Sequence, residues 1–191
     1  MWSFFRYLLA VVLGLVLGLG STFWAIRSSA DLAFANNGVW RTNIMTGSQD
    51  LDMYSRAYVA VKYLFAMNKA ETVYYEATTD EDGKPLSTDC DYLVIGKAPK
   101  ARWWSITAYD EYQFLIDNPH NRYAFSGEDL GVEAGKEFKI RVSADKLKGN
   151  WIPTGDGKSL MLLLRLYNPS PEVYDNVEGY PLPKIIREGC K

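Results

Sequence analysis

The chain has 191 residues, which is enough for one well-buried domain. Its 48% hydrophobic and 23% charged residues exclude a disordered or collagen-like chain. Twenty-one Lys and Arg residues against 23 Asp and Glu residues give a net charge of −2, so we expect no basic face for a phosphate backbone and no nucleic acid partner.

The N-terminal segment is uncharged from Tyr7 to Ile26, between Arg6 and Arg27. At about 1.5 Å of rise per residue a helix over this segment matches the hydrocarbon thickness of a bilayer. We therefore predict a transmembrane anchor over residues 1–27, which binds the lipid bilayer. The alternative is a cleaved signal peptide, whose apolar region is normally shorter, about 7–15 residues. A short leader before a long domain favours a cytoplasmic N-terminus and an exported C-terminal domain.

Gly14 and Gly18 form a small-xxx-small pair that would let a second membrane helix approach closely. Glycine is frequent in transmembrane helices, so the absence of a specific helix dimer is the favoured interpretation.

The two cysteines, Cys90 and Cys190, would be able to oxidise in an exported domain. A bridge between them closes a loop of about 100 residues and ties the C-terminal tail to the core. Two free thiols are the alternative. Neither cysteine belongs to a CxxC pair, so we expect no metal site and no cofactor.

Residues 28–37 have small and polar side chains and are interpreted as a connector to a domain over residues 38–191. A helix follows, because residues 48–82 contain no Gly or Pro and apolar residues recur there at steps of three and four. We predict that Thr46 and Gln49 cap it. The stripe predicted to be buried consists of Leu51, Tyr54, Ala57, Tyr58, Val61, Leu64 and Phe65.

After this helix, apolar residues alternate with polar ones, which predicts half-buried strands. The predicted strands are residues 72–77, 92–95, 102–109, 137–143 and 159–167, with Asp82-Gly83 as a hairpin turn between the first two. Short strands with one early helix suggest a mainly β protein folded as an antiparallel sandwich.

The strand Arg102–Tyr109 has a face with rings and hydroxyls, which suits a ligand groove. This face carries Trp103, Ser105, Thr107 and Tyr109, and Arg102 stands at the start of the strand. The alternative is that the helix covers the face and the hydroxyls bond locally.

On the last long strand, Arg165 and Tyr167 alternate with a row of leucines. An arginine among apolar neighbours needs a carboxylate or carbonyl partner, and a structural pair is favoured over an anionic ligand. The sequence offers little support for a catalytic Ser-His-Asp set. His120 is its one histidine, and although Ser105 and Asp110 lie near it in sequence, no nucleophile motif surrounds the serine.

Taken together, these residues resemble the bacterial family catalogued as domain of unknown function 1214, in its short form with a single membrane anchor. The resemblance lies in residues 37–40, 101–109, 118, 122–123, 150–153 and 164–169. It implies a jelly-roll-like β-sandwich and no established reaction. The related two-domain members carry a further domain, of unknown function 1254, for which we find no counterpart here.

We therefore expect a binding or interaction module on the bacterial inner membrane, with its C-terminal domain in the periplasm and other inner-membrane proteins as partners. An accessory subunit of an envelope complex is one form of this hypothesis. The alternative is a hydrolase acting on a small anionic or carbohydrate substrate, with Arg102 or Arg165 holding the anion and Asp110 or His120 as acid or base.

Overall fold

The computed structural model describes residues 2–62, 66–145, 148–155 and 159–191. Helix α1 covers Trp2–Ala33. Its part Trp2–Ser28 is long and apolar enough to cross a membrane, and none of its most apolar window is buried against the rest of the chain. The predicted long apolar helix is therefore confirmed. Over the segment predicted as a connector, α1 continues to Ala33 and β1 (Ala35–Asn37) follows.

The remaining strands build two sheets that face each other. The first has the order β1, β2 (Trp40–Thr42), β3 (Thr72–Ala77), β9 (Met161–Pro169), β5 (Ala101–Tyr109), β6 (Ala124–Ser126). The second has the order β10 (Lys184–Cys190), β4 (Cys90–Lys97), β7 (Glu137–Ser143), β8 (Trp151–Pro153). All neighbours are antiparallel except β7 and β8. The mainly β, two-sheet prediction is confirmed, whereas the jelly-roll connectivity is not.

The core lies between the two sheets and follows the period of two in the sequence. On β5 and β9 the inward residues are buried, and the rings of Trp104 and Phe138 meet across the sheets with centroids 4.7 Å apart. On β7 the inward residues alternate with exposed lysine, arginine and glutamate. The fully buried large residues are Trp40, Tyr75, Tyr92, Val94, Ile106, Ile140, Val142, Ile152, Leu162, Leu164, Leu166 and Ile185.

The predicted hairpin between residues 72–77 and 92–95 is wrong. The turn at Gly83 does form, with a positive φ of 75° that glycine adopts without strain, but it joins only an isolated bridge between Thr79 and Pro85. The chain then crosses to the second sheet, where β4 pairs with β7 and β10. A turn signal in the sequence does not specify which sheet the next strand joins.

Helix α2 covers Met53–Lys62 and begins later than predicted. Its N-cap is Asp52, whose Oδ1 accepts hydrogen bonds from the backbone amides of Tyr54 and Ser55 at 2.9 and 3.1 Å. The predicted cap at Thr46 is wrong, because Thr46 lies buried in the preceding turns. The helices α3 (Gly127–Leu130) and α4 (Pro171–Asp175) are single turns.

The predicted burial of the α2 stripe is confirmed only in part, because Leu51 is 8% exposed and Ala57 and Tyr58 are half-buried. The side chains of Tyr54 and Val61 are 43% and 78% exposed, and Ser55 is the buried residue of this helix. The predicted stripe residues Leu64 and Phe65 lie outside the described residues. Spacing reveals that a helix has an apolar side, but it does not say which way that side points.

The C-terminal strand β10 is fixed to the core by a disulfide and an ion pair. Cys90 and Cys190 are joined, with their sulfurs 2.01 Å apart. The Nε of Arg187 lies 2.6 Å from Oδ2 of Asp80, whose side chain is 1% exposed. Burial alone would raise the pKa of the Asp80 carboxyl, but hydrogen bonds from Arg187 and from the backbone amide of Lys84 outweigh it and lower this pKa.

Replacing Asp80 should therefore destabilise the domain. We expect Asp80→Asn to lower the free energy of unfolding by about 3 kcal/mol at neutral pH, because it leaves Arg187 without its charged partner. The folded-state pKa lies below the ordinary 3.8, so the contribution is fully present above about pH 4 and is lost as the pH falls through the folded-state pKa. Urea unfolding at several pH values measures both effects.

The exposed turn residue Asp82 is the matched control for this measurement. Its contact with Lys84 is 3.9 Å long and both side chains are mostly exposed, so Asp82→Asn should change the free energy by less than about 0.5 kcal/mol. Equal effects of the two substitutions would contradict the role given to the buried pair.

Candidate functional site

The two central strands of the first sheet bring the predicted ligand-binding residues together on its outer face. In the β5–β9 register Trp103 lies opposite Tyr167, and Ser105 lies opposite Arg165. The inner face of the same strands is filled by leucine, isoleucine and tryptophan side chains of the core. Polar groups are therefore confined to the side of β5 and β9 that faces away from the second sheet.

Arg165 is held by two hydroxyl groups of β5. Its Nη1 donates to Oγ1 of Thr107 at 3.0 Å, and its Nη2 donates to the hydroxyl of Tyr109. The guanidinium carbon lies 5.5 Å from the centre of the Tyr109 ring, within the range of a cation–π interaction. We call Arg165, Ser105, Thr107 and Tyr109 the Arg165 cluster.

The Arg165 cluster has more hydrogen-bond donors than acceptors. Each hydroxyl that accepts a bond from Arg165 keeps its own proton to donate, and a guanidinium has five N–H groups and no acceptor. Among the described residues, the hydrogen-bond partners of Arg165 are both neutral. The carboxylate or carbonyl partner predicted for a structural pair is therefore not what holds this arginine.

Burial makes this arrangement electrostatically significant. Ser105 and Thr107 are 3% and 4% exposed, and Arg165 and Tyr109 are half-buried. A cation in such surroundings is screened less by water than a cation on an open surface. Among the described residues, the charge of Arg165 therefore lies in partly buried surroundings with no carboxylate hydrogen-bonded to it.

Aromatic rings form one border of the Arg165 cluster. Trp103 and Tyr167 meet edge to face with ring centroids 5.1 Å apart, and Trp103 remains 37% exposed. Burial raises the pKa of the Tyr167 hydroxyl, although the nearby Arg165 acts in the opposite direction. Tyr167 is therefore neutral at physiological pH, and the border offers apolar ring surface.

Glu76 on β3 is a residue of this face that sequence reasoning missed. It is 7% exposed and its Cα pairs with that of Leu163, one row from Arg165. The alternation of residues 72–77 places Glu76 on the outer side, but the sequence does not reveal that β3 is the neighbour of β9.

Arg102 does not join the cluster. It alternates with Trp103 along β5, so the two side chains point to opposite sides of the strand. Arg102 and Trp103 both border a groove of about 480 Å³ between the start of β5 and the region of α3, with Glu128 and Glu133 on its other wall. The two predicted anion-holding arginines are therefore separated by the strand.

The residues proposed as acid or base are occupied elsewhere. Oδ1 of Asp110 accepts the backbone amides of Tyr112 and Phe114, which makes it a turn-forming residue. The His120 ring packs against Trp151 of the second sheet, with centroids 5.0 Å apart. Within the described ranges, no group of three His, Cys, Asp or Glu residues is placed to hold a metal ion.

Comparison with solved structures gives the fold. The VPA0106 protein from Vibrio parahaemolyticus is 24% identical, with a TM-score of 0.56 over 73% of this chain and 36% of that protein. A protein from Burkholderia cenocepacia is 16% identical, with a TM-score of 0.42 over 63% of this chain and 30% of that one. The chain thus spans about a third of the length of these structures.

Comparison with families and with functionally curated proteins completes the assignment. No curated protein is significantly similar in sequence. The sequence model described as a protein of unknown function, DUF1214, matches residues 71–171, which include β3, β5 and β9 and hence the whole Arg165 cluster. The chain belongs to the DUF1214 family.

Proposed function

We propose that this protein is a membrane-anchored module of the bacterial inner membrane whose β domain lies in the periplasm and binds a small anionic ligand. The observation that carries the binding role is the half-buried Arg165, which is held by the neutral hydroxyls of Thr107 and Tyr109. An anion would supply the acceptors that these donors lack. The role of a tethered binding module needs no catalytic group.

The location is supported by two features of the chain. Helix α1 exposes its apolar side chains along its length, which is favourable in lipid and costly in water. The pairing of Cys90 with Cys190 suits an oxidising compartment such as the bacterial periplasm. Both features agree with a cytoplasmic N-terminus and an exported domain.

The chemistry of the Arg165 cluster favours a carboxylate attached to an apolar body. A guanidinium presents its N–H groups in a planar fork that matches a carboxylate, and the surrounding hydroxyls can donate to the same oxygens. The rings of Trp103, Tyr109 and Tyr167 offer flat apolar surface beside this fork. Benzoate is the simplest probe that combines both parts.

Membrane topology gives the first prediction. In intact cells, a membrane-impermeant maleimide should label the protein at Cys190, the exposed cysteine of the pair, only after the outer membrane is permeabilised and the disulfide is reduced. The protein should also stay in the membrane pellet after alkaline carbonate extraction. Labelling that requires lysis of the inner membrane, or release of the protein into the soluble fraction, would contradict the proposed location.

Ligand binding gives the second prediction. The full-length protein in a neutral detergent should bind benzoate, and Arg165→Met should weaken this binding by about 10- to 100-fold, the loss expected for hydrogen bonds to a charged group worth about 1.5–3 kcal/mol. Isothermal titration calorimetry with inorganic phosphate in parallel measures the preference for a carboxylate. We expect tighter binding of benzoate than of phosphate.

Arg102→Met is the matched control, because Arg102 is an exposed arginine of the same strand outside the Arg165 cluster. It should leave benzoate binding unchanged. Unfolding of Arg165→Met should show a loss of less than about 1.5 kcal/mol, because its partners are neutral hydroxyls rather than a buried carboxylate. Absence of benzoate and phosphate binding in the wild type, or equal binding in both variants, would overturn the binding role.

A further inference from the structure

Helix α2 carries an apolar side that the β domain does not cover. Met53, Ala57 and Val61 are spaced four residues apart and so lie on one face of the helix. Met53 and Val61 are 75% and 78% exposed, so this face presents two large apolar side chains to the surroundings of the domain. Tyr54, 43% exposed, borders the same face.

The opposite side of α2 is the one that meets the domain. Ser55 on this side is 2% exposed. Arg56 folds back and donates from Nη2 to the carbonyl oxygens of Gln49 and Leu51 at 2.9 and 3.1 Å, which fixes the start of the helix. The exposed apolar face is therefore held in place by the packing of the other side.

The position of α2 is set by the end of the apolar helix α1. Phe34 directly follows α1, and its ring meets that of Tyr58 on α2 with centroids 5.9 Å apart. If Ile26 ends the hydrocarbon span, Phe34 lies about 12 Å beyond it along the helix axis at 1.5 Å per residue. The headgroup layer on each side of a bilayer is about 5–7.5 Å deep, so Phe34 lies about 5–7 Å beyond its outer border. A helix with its side chains has a radius of about 5–6 Å, so the side chains of a helix packed beside Phe34 can reach this layer.

We infer that α2 lies on the surface of the bilayer that α1 spans, with Met53, Ala57 and Val61 turned toward the lipid. The bilayer is the occupant because α2 contacts the end of the membrane-crossing helix and because its exposed side is apolar. Tyr54 at the border of this face suits the headgroup region, where amphipathic rings accumulate. This inference rests on the membrane anchoring proposed above.

A surface-bound α2 would also orient the β domain. A domain that is attached to the membrane only through α1 is free to tilt. A second contact through α2 fixes the face that the domain presents to the membrane. The first sheet, which carries the Arg165 cluster, is joined to α2 on both sides in the chain, through β2 before the helix and through β3 after it. The distance of the cluster from the lipid would then be set by the fold.

Photo-cross-linking tests this inference on the full chain in phosphatidylcholine vesicles. The photoreactive amino acid p-benzoylphenylalanine replaces one residue at a time, at Val61 and, as a second position, at Met53. Leu15 in α1 is the lipid-facing reference, and Tyr112, 74% exposed in the β5–β6 connection, is the water-facing control. Mass spectrometry of the irradiated protein measures the fraction that carries a phospholipid.

We expect phospholipid adducts at Val61 and Met53 at no less than about a third of the Leu15 yield, and at least five times the Tyr112 yield. Adducts at Leu15 with Val61 and Met53 at the Tyr112 level would overturn the inference and leave the membrane anchor intact. Absence of adducts at Leu15 as well would overturn the anchor itself. In cells, a protein adduct at Val61 in place of lipid would also overturn the inference.

Discussion

The apolar side chains of α1 are the constraint on which the placement of the whole chain depends. Within the described chain, the most apolar window of this helix is not buried at all, and its leucine, valine and aromatic side chains are mostly exposed. Burial of a large apolar side chain is worth about 1.5–3 kcal/mol, so a helix of this length is strongly driven out of water. A bilayer removes the whole helix from water at once.

The β domain has a hydrophobic core that contains no residue of this helix. Its core lies between the two sheets, and the C-terminal strand β10 is attached by the disulfide and by the Asp80–Arg187 pair. Nη1 of Arg187 also lies 3.2 Å from the sulfur of Cys90, so the ion pair and the disulfide adjoin. The outer face of the first sheet is thereby free to carry polar groups that the core does not need.

Much of the fold could be predicted, because a strand buried on one side imposes a period of two on its sequence. Strands β3, β5, β7 and β9 were each predicted to within two residues at either end, and the inward residues of β5 are buried as predicted. Strand pairing could not be predicted, because it depends on contacts distant in sequence. The turn at Gly83 therefore suggested a hairpin where the chain changes sheets.

The site could be predicted in composition but not in geometry. Alternation placed Ser105, Thr107 and Tyr109 on one face of a strand, and Arg165 on one face of another. That these strands are neighbours, and that hydroxyls rather than a carboxylate hold Arg165, required the register. The register of β3 against β9 likewise was needed to place Glu76 on the same face as Arg165. Which residues of the predicted α2 stripe face outward likewise could not be predicted from their spacing alone.

The intact mass of the protein purified from its native membrane tests the central claim most directly. If α1 is a retained anchor, the mass of the membrane-bound protein includes Trp2 to Ser28 together with the domain. A mature protein that starts near Ala30, recovered without a lipid-bound helix, would mean that α1 is a cleaved leader. The account of a tethered domain would then be contradicted.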